Sequence, residues 1–547
     1  MFEQKNKKLF DNEVVTKKEN NFVNAGLKNS AKTTSENGAL KYSTTGNDFV
    51  DQFSKLGNYK IPRSFKDISS DCELLWSQNK LYCVLFIFYI RMITRVVSLF
   101  DGVKTSVPQK GAELKHEGIM RMIWLYFKSS KTFWENIYIF VSIGSWKDVI
   151  TMLSYDLQYN GWEKRKLDWN RFGSLILSGL ENKNTSELLK KYLPSIKSKK
   201  ECTTLESQAD NLIGKWICSL LFGNSGEKSG STYKSYRKLK SSGTAHEWQQ
   251  LISQRKFDKI DFGKIHGRAL SLLVKGKFLF NQGLSDKYNE WIKKDDVEVK
   301  YTGFVHELFD KLTIKTGENE RLTIDKQFET IVKKAGEKPR TSLIVTRDTS
   351  NSMGSISNGT NMSCYNIAKA LALYFSEFLT GEFQNSFIEF NSNAKFHKWK
   401  GSTPTEKWLN DKTSYVGSTN FLSVIELFVT ILKSGVKESE FPSGILCISD
   451  SEFNPASLNK TNVDTAKVLL KKGGFSQEYV DNFIIVLWNL QSNGRGNKFE
   501  TYGEVKNVFY FSGYSASTIS FLDNKVKTAY ELFEEAMNQE VFKLIKL

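Results

Sequence analysis

From about residue 46 to 335, apolar residues return every three or four positions, as in FWENIYIFVSIG, WKDVITMLSYDL and NLIGKWICSLLFG. That spacing lays one apolar stripe along a helix, and strand-like alternation is scarce over the same span. Polar punctuation such as ENKNT at 181–185 and GNSGEKSGS at 223–231 separates the helices, which predicts stacked helical pairs without a strict sequence repeat. The run LYCVLFIFYI at 81–90 is apolar all round. It is far shorter than a bilayer span and Arg91 and Arg95 follow, so it predicts a buried helix and no membrane crossing.

Beyond about residue 340 the rhythm changes. Five short apolar runs appear, SLIVTRD, SFIEFN, GILCISD, NFIIVLWN and NVFYFSG, with amphipathic stretches at 365–379 and 420–435 between them. Strands alternating with helices of that length predict a parallel, doubly wound α/β sheet. Near-continuous apolar strands suit a sheet covered on both faces, and such sheets take ligands at the carboxyl ends of their strands. Residues 1–45, rich in Lys, Asn, Ser and Thr, read as a flexible or loosely docked arm. The expected organisation is therefore an arm over 1–45, an all-α repeat domain over 46–335 and an α/β domain over 340–547. A chain of 547 residues exceeds one ordinary core, which agrees with two large domains.

Charge sharpens the division. The net charge is +17; residues 1–300 hold 49 Lys and Arg against 32 Asp and Glu, whereas residues 301–547 hold 28 of each. The whole basic excess lies in the helical part, which fits either a solvated basic surface or an anionic partner, most plausibly nucleic acid. Candidate contacts are Lys164, Arg165 and Lys166, then Lys234, Arg237, Lys238 and Lys240, and the pair Arg255 and Lys256. Tyr233 and Tyr236 interleave with the second run, as base-stacking platforms or as packing residues. Six cysteines without a C-x-x-C pair argue against a zinc cluster and fit reduced thiols of a cytoplasmic protein, and the N-terminus lacks a signal-peptide core.

Candidate chemistry sits at the strand ends. The first α/β strand delivers Asp348, and Ser350 and Ser352 follow at alternate positions. Thr419 lies in the loop YVGSTNF, and Asp450 ends the strand ILCISD. Carboxylates and hydroxyls are hard oxygen ligands suited to Mg²⁺ or a similar divalent ion. The chain has no nucleotide-binding G-x-x-x-x-G-K-[ST] loop and no H-E-x-x-H, and its five histidines are dispersed. A carboxylate-rich two-metal pocket is also missing, so no enzymatic activity is expected.

With these residues in that order, the C-terminal portion closely resembles a von Willebrand factor A domain with its metal-ion-dependent adhesion site. The resemblance implies that Ser350 and Ser352 ligate directly. It implies that Asp348, Thr419 and Asp450 complete the ligand set, Thr419 and Asp450 directly or through water, and that an acidic group of a partner takes one position. Ser418 competes with Thr419 for its role. The wider chain resembles the Ro autoantigen (TROVE) family, in which a ring of HEAT-like helical repeats precedes such a domain. It is most similar to a large uncharacterised branch of that group found in plants, fungi, bacteria and viruses. The stretches carrying the likeness include ENGALKYSTTGNDFVDQF, GSWKDVITML, YKSYRKLKSSGTAHEWQQLISQRKFDKIDFGKI and AYELFEEAMNQEVFKLIKL. The Gly- and Arg-rich segment typical of the helical part is diluted here to QKGAELKHEGIMR. The family implies a non-enzymatic binder of structured or single-stranded noncoding RNA. The competing reading is a metal-dependent protein-interaction scaffold without RNA binding, associated with a viral or phage particle.

Overall fold

In the computed structural model the described residues are 21–57, 62–93, 111–183, 185–223, 230–243, 247–265, 267–275, 278–301, 303–334, 342–357, 360–379, 381–456, 460–491, 498–503, 505–514 and 527–547. The first 20 residues of the expected arm and most of GNSGEKSGS lie outside them. Among the described residues between 46 and 335 every regular element is helical.

The three stretches singled out by periodicity form helices Ser130–Ile143, Trp146–Asn160 and Leu205–Phe222. Their starts are written in the sequence. Ser129 accepts from the Thr132 amide, and Ser145 with Asp148 forms a reciprocal capping box, so donors at each helix start are satisfied by side chains. The run at 81–90 lies in helix Lys80–Arg91, buried from Cys83 onward, and Arg91 at its end is bound to Asp148 through Nε (2.7 Å) and Nη2 (2.9 Å). No helix among the described residues is long and apolar enough to cross a membrane.

The C-terminal part is a six-stranded sheet flanked by helices. Its strands are β3 (Leu343–Asp348), β4 (Ser386–Phe390), β5 (Ala394–Lys398), β6 (Gly444–Ser449), β7 (Ile484–Asn489) and β8 (Val508–Ser512), following a small N-terminal hairpin of β1 (Lys32–Thr34) and β2 (Leu40–Tyr42). The order across the sheet is β5-β4-β3-β6-β7-β8. All five apolar runs are strands and pair in parallel, but β5 pairs antiparallel with β4, so the sheet is mixed. The sequence AKFHK gave no apolar run because β5 is an edge strand with mostly half-exposed or exposed side chains. The chain enters at β3, builds outward to β5, and returns to add β6 on the other flank of β3. The carboxyl ends of β3 and β6 therefore flank the point where strand order reverses, where an open α/β sheet has its crevice.

Both ends of the helical part pack on this α/β unit. At one end Phe533 of helix Ala529–Met537 meets Phe49, Phe53, Tyr82 and Phe86, and buried Asn136 pairs its amide with the backbone of Lys546. At the other, Phe309 stacks on Trp408 with ring centroids 4.7 Å apart, and Asp325 accepts from the Thr405 amide (2.8 Å) and hydroxyl (2.9 Å). Between these anchors, Ile260, Phe262, Leu270, Tyr288 and Ile292 belong to a second, smaller core.

One finding departs from the sequence reading. Residues 32–42, expected to belong to a flexible or loosely docked arm, pair as the regular β1–β2 hairpin and dock on the α/β unit through specific bonds from buried side chains. Tyr42 exchanges two backbone hydrogen bonds of 2.7 Å with Phe499, and Ser35 Oγ donates to the Phe453 carbonyl. Composition suggested solvation; the hairpin is held instead by backbone pairing and by one lysine buried against a carboxylate.

Candidate metal centre

The register of β3 on β6 fixes the first half of the site. Arg347 lies beside Ile448, so the next residues along, Asp348 and Ser449, are neighbours at the carboxyl ends of the two strands. Asp348 is fully buried. Its Oδ1 accepts the Ser350 amide at 2.8 Å and its Oδ2 accepts the Ser449 hydroxyl at 2.5 Å. The Ser350 and Ser352 hydroxyls lie 3.2 Å apart, with Ser350 buried and Ser352 exposed at the mouth. Asp450 is buried as well, and its Oδ1 accepts the Glu452 amide at 3.3 Å.

Two buried carboxylates facing each other across one crevice carry an electrostatic cost. Burial, reinforced by the neighbouring Asp450 carboxylate, pushes the Asp348 carboxyl up to about 7. Among the described residues neither aspartate forms an ion pair, unlike the buried acids elsewhere that face arginine or lysine. The hydrogen bonds from Ser449 and Ser350 offset part of the desolvation but supply no positive charge.

Thr419 lies on a loop bonded through its backbone to the segments around the two aspartates. The Val416 amide donates to Thr349 O (2.8 Å), the Asn351 amide donates to Gly417 O (3.1 Å), and the Asn454 amide donates to the carbonyl of Thr419 itself (2.9 Å). The loop is thus laced to the segments that follow both Asp348 and Asp450. Thr419 is buried, while Ser418 is exposed and pairs with Ser392 at 3.2 Å, so Thr419 is the inward residue of the two. A charge cluster on the other side of β3 anchors the start of this loop. Arg347 is fully buried, donates to Asp411 (2.6 Å) and Thr413 (2.5 Å), and lies on the Phe387 ring at 4.6 Å. Burial alone would raise Asp411, but the Arg347 guanidinium outweighs it and holds the carboxyl at about 2. Burial brings nearby Lys369, 3.6 Å from Asp411, down to about 8.

The oxygen set of Asp348, Ser350, Ser352, Thr419 and Asp450 matches the preference of a hard divalent cation, and the two unpaired carboxylates are the groups such an ion would neutralise. Among the described residues no three His, Cys, Asp or Glu side chains converge, so the site is made of hydroxyls as much as of carboxylates. On the loops beside it three apolar residues are exposed among polar ones such as Asn351, Ser352 and Ser418: Ile356 is 64 % exposed, Tyr415 46 % and Val416 52 %. Tyr415 packs directly over Gly354, where a Cβ would come within 2.5 Å of its ring.

The sequence reading missed Ser449, the Arg347–Asp411 anchor and the hairpin. Ser449 was visible only as the residue before Asp450, and its role needs the strand register. Arg347 had a signal, a charge inside a run of buried residues, which requires a partner when both faces of a sheet are covered.

The basic candidates divide by exposure. Lys164, Arg165, Lys166, Lys234, Arg237, Lys238, Arg255 and Lys256 are exposed. Arg165 lies over the rings of Trp162 (4.0 Å) and Trp169 (5.0 Å). Lys240 is different: it is half-buried and donates to the carbonyls of Lys191 and Leu193 at the end of helix Ser186–Tyr192, so it caps that helix. Tyr236 is fully buried with its hydroxyl on Pro194 O (2.9 Å) and offers no stacking face; Tyr233 packs partly against the main core. Arg121, in the diluted Gly- and Arg-rich segment, is also buried, bound to Glu117 (2.8 Å) and Gln52 (3.0 Å). All six cysteines are buried and free of disulfides.

Compared with known proteins, residues 342–544 match a domain of unknown function, DUF7788, which begins at β3 and takes in the whole sheet and the C-terminal helix. No curated protein matches the chain.

Proposed function

We propose that the protein is a non-enzymatic binding protein whose α/β domain, of von Willebrand A type, holds a divalent cation, Mg²⁺ by donor chemistry, and uses it to capture an acidic group of a partner protein. The observation that carries this reading is the pair of buried aspartates, Asp348 and Asp450, without a cationic partner among the described residues, with the Ser350 and Ser352 hydroxyls beside Asp348 and buried Thr419 on an adjoining loop. Asp348, Ser350, Ser352, Thr419 and Asp450 would hold the ion, whose chemistry there is charge neutralisation and carboxylate binding. The exposed Ile356, Tyr415 and Val416 on the loops beside it support a partner surface in which an acidic side chain is flanked by apolar ones. Affinity capture from the native source tests it. A partner protein retained in Mg²⁺ and lost both in chelator and on Asp348→Ala supports the reading, and capture indifferent to both overturns it.

A second activity is favoured by a separate observation. The basic excess is confined to residues 1–300, and eight of the nine basic candidates are exposed. We propose RNA as the ligand of the helical part, in line with its resemblance to Ro proteins, with a ring closed through the α/β domain that anchors both its ends. Arg165, spread on Trp162, offers a planar cation for an unpaired base. RNA affinity of the full chain falling steeply with salt, and unchanged by Asp348→Ala, supports this second activity. Salt-independent binding, or none, removes it.

A further inference from the structure

The acidic turn after β6 is gripped by a segment from the opposite end of the chain. Lys41, on β2, is almost completely buried; its Nζ donates to the Ser451 carbonyl (2.8 Å), ion-pairs with Glu500 (3.0 Å) and lies over the Phe453 ring at 4.6 Å. Ser451 directly follows Asp450 and adopts φ +65°, a left-handed conformation uncommon for serine. Its amide in turn donates to Ser449 Oγ (2.9 Å), the same hydroxyl that donates to Asp348. The backbone of one residue, Ser451, thus links the lysine of the hairpin, through the Ser449 hydroxyl, to the carboxylate of β3. Further bonds surround this link: the Glu36 amide donates to the Glu452 carboxylate, Asn37 Nδ2 to Glu452 O (2.6 Å), and Ser35 Oγ to Phe453 O (3.0 Å). On the far side Glu500 accepts the amides of Asn462 and Val463, fixing the start of the next helix.

Burying an ammonium is costly, and an ion pair in such a place is a poor way merely to attach a hairpin, since apolar residues of similar volume attach as well or better. What Lys41 supplies that an apolar side chain cannot is a donor aimed at the carbonyl beside Asp450. We infer that the β1–β2 hairpin is a working part of the ion site and that Lys41 is a positioning residue, setting the strained Asp450–Ser451 turn in the conformation that receives the cation. This inference rests on the ion-binding reading above. It makes the site a joint product of the two ends of the chain, and linkage then requires reciprocity: whatever the hairpin adds to ion affinity, the ion returns to hairpin docking.

The test uses the full chain with Mn²⁺ as probe, its free concentration read by electron paramagnetic resonance. Lys41→Met is expected to weaken Mn²⁺ binding by about 10- to 100-fold, the usual effect of losing a partner that orients a ligand, and Lys41→Arg to recover part of it. Because Lys41→Met can compromise folding, hydrogen exchange on the unaltered chain gives an independent arm. Saturating Mg²⁺ should slow exchange of the hairpin amides, Ala39 and Tyr42 among them, and should not do so in Asp348→Ala. Equal Mn²⁺ affinity in wild type and Lys41→Met, or hairpin exchange indifferent to Mg²⁺ in a chain that binds it, overturns the role of Lys41 and leaves the ion site standing. Absence of any Asp348-dependent Mn²⁺ binding in wild type is a different result: it removes the ion site, and this inference with it.

Discussion

Asp148 in the helical part and Asp348 at the sheet edge are equally buried and sit in opposite electrostatic settings. Asp148 receives the Arg91 guanidinium at 2.7 and 2.9 Å and also caps its own helix, so its charge is matched inside the protein. Asp348 faces a second carboxylate and receives only neutral donors. A buried, matched ion pair is a structural solution whose removal leaves an orphan charge. A buried, unmatched pair of acids is destabilising as it stands, and it makes sense as a place prepared for a cation.

The widest separation between the two settings is expected in stability. Asp148→Ala strands Arg91 and should cost about 3–5 kcal/mol in urea unfolding under chelating conditions. Asp348→Asn removes one of two repelling charges and should lie within about 1 kcal/mol of wild type under the same conditions. Equal losses would erase the contrast. Next in size is the response to the ion: Mg²⁺ at about 100 times its dissociation constant should stabilise wild type and Asp148→Asn by a common increment near 2.7 kcal/mol, and Asp348→Asn by none.

A third acid extends the comparison to pH. Asp325, which joins the helical part to Thr405, is pushed up to about 6 by burial. Its folded-state pKa exceeds the unfolded value of about 4, so the folded protein holds the extra proton between those limits. The stability it contributes is therefore complete below about pH 4 and is lost as pH rises through 6, on the order of 2 kcal/mol. Urea midpoints should fall less from pH 4 to pH 7 in Asp325→Asn than in wild type; parallel curves would contradict the assignment.

The smallest effects are expected on the basic surface. Replacing Arg237 and Lys238, both exposed, should lower RNA affinity a few-fold and flatten the salt dependence by about one unit per residue. Lys240→Ala, which uncaps a helix end, should lower stability by roughly 1 kcal/mol without changing the salt slope. Filter binding across a salt series separates the two outcomes.

These contrasts also mark how far the sequence could be read. Buried strands such as LIVTRD and GILCIS announce themselves because both faces of the sheet are covered, and Asp348 and Asp450 stand out as the acids that end them. The edge strand AKFHK, with little to bury, leaves no such trace. Lys41 looks like one more solvated charge in a polar arm, since nothing local says that Glu500, 459 positions away, will cover it. Lys240 shows the converse error: a run of basic residues reads as a surface, yet the fold spends this one on Leu193, while Tyr236 beside it takes the packing role that its spacing also allowed. Local pattern reveals which residues can be buried; register and long-range docking decide what each buried charge meets.

Isothermal titration of Mg²⁺ into the full chain, wild type beside Asp348→Ala and Asp450→Ala, bears most directly on the central claim. Binding of one ion per chain in wild type, abolished or weakened at least tenfold in both variants, is the predicted result. Binding that both variants retain, or no binding in the wild type, would contradict it.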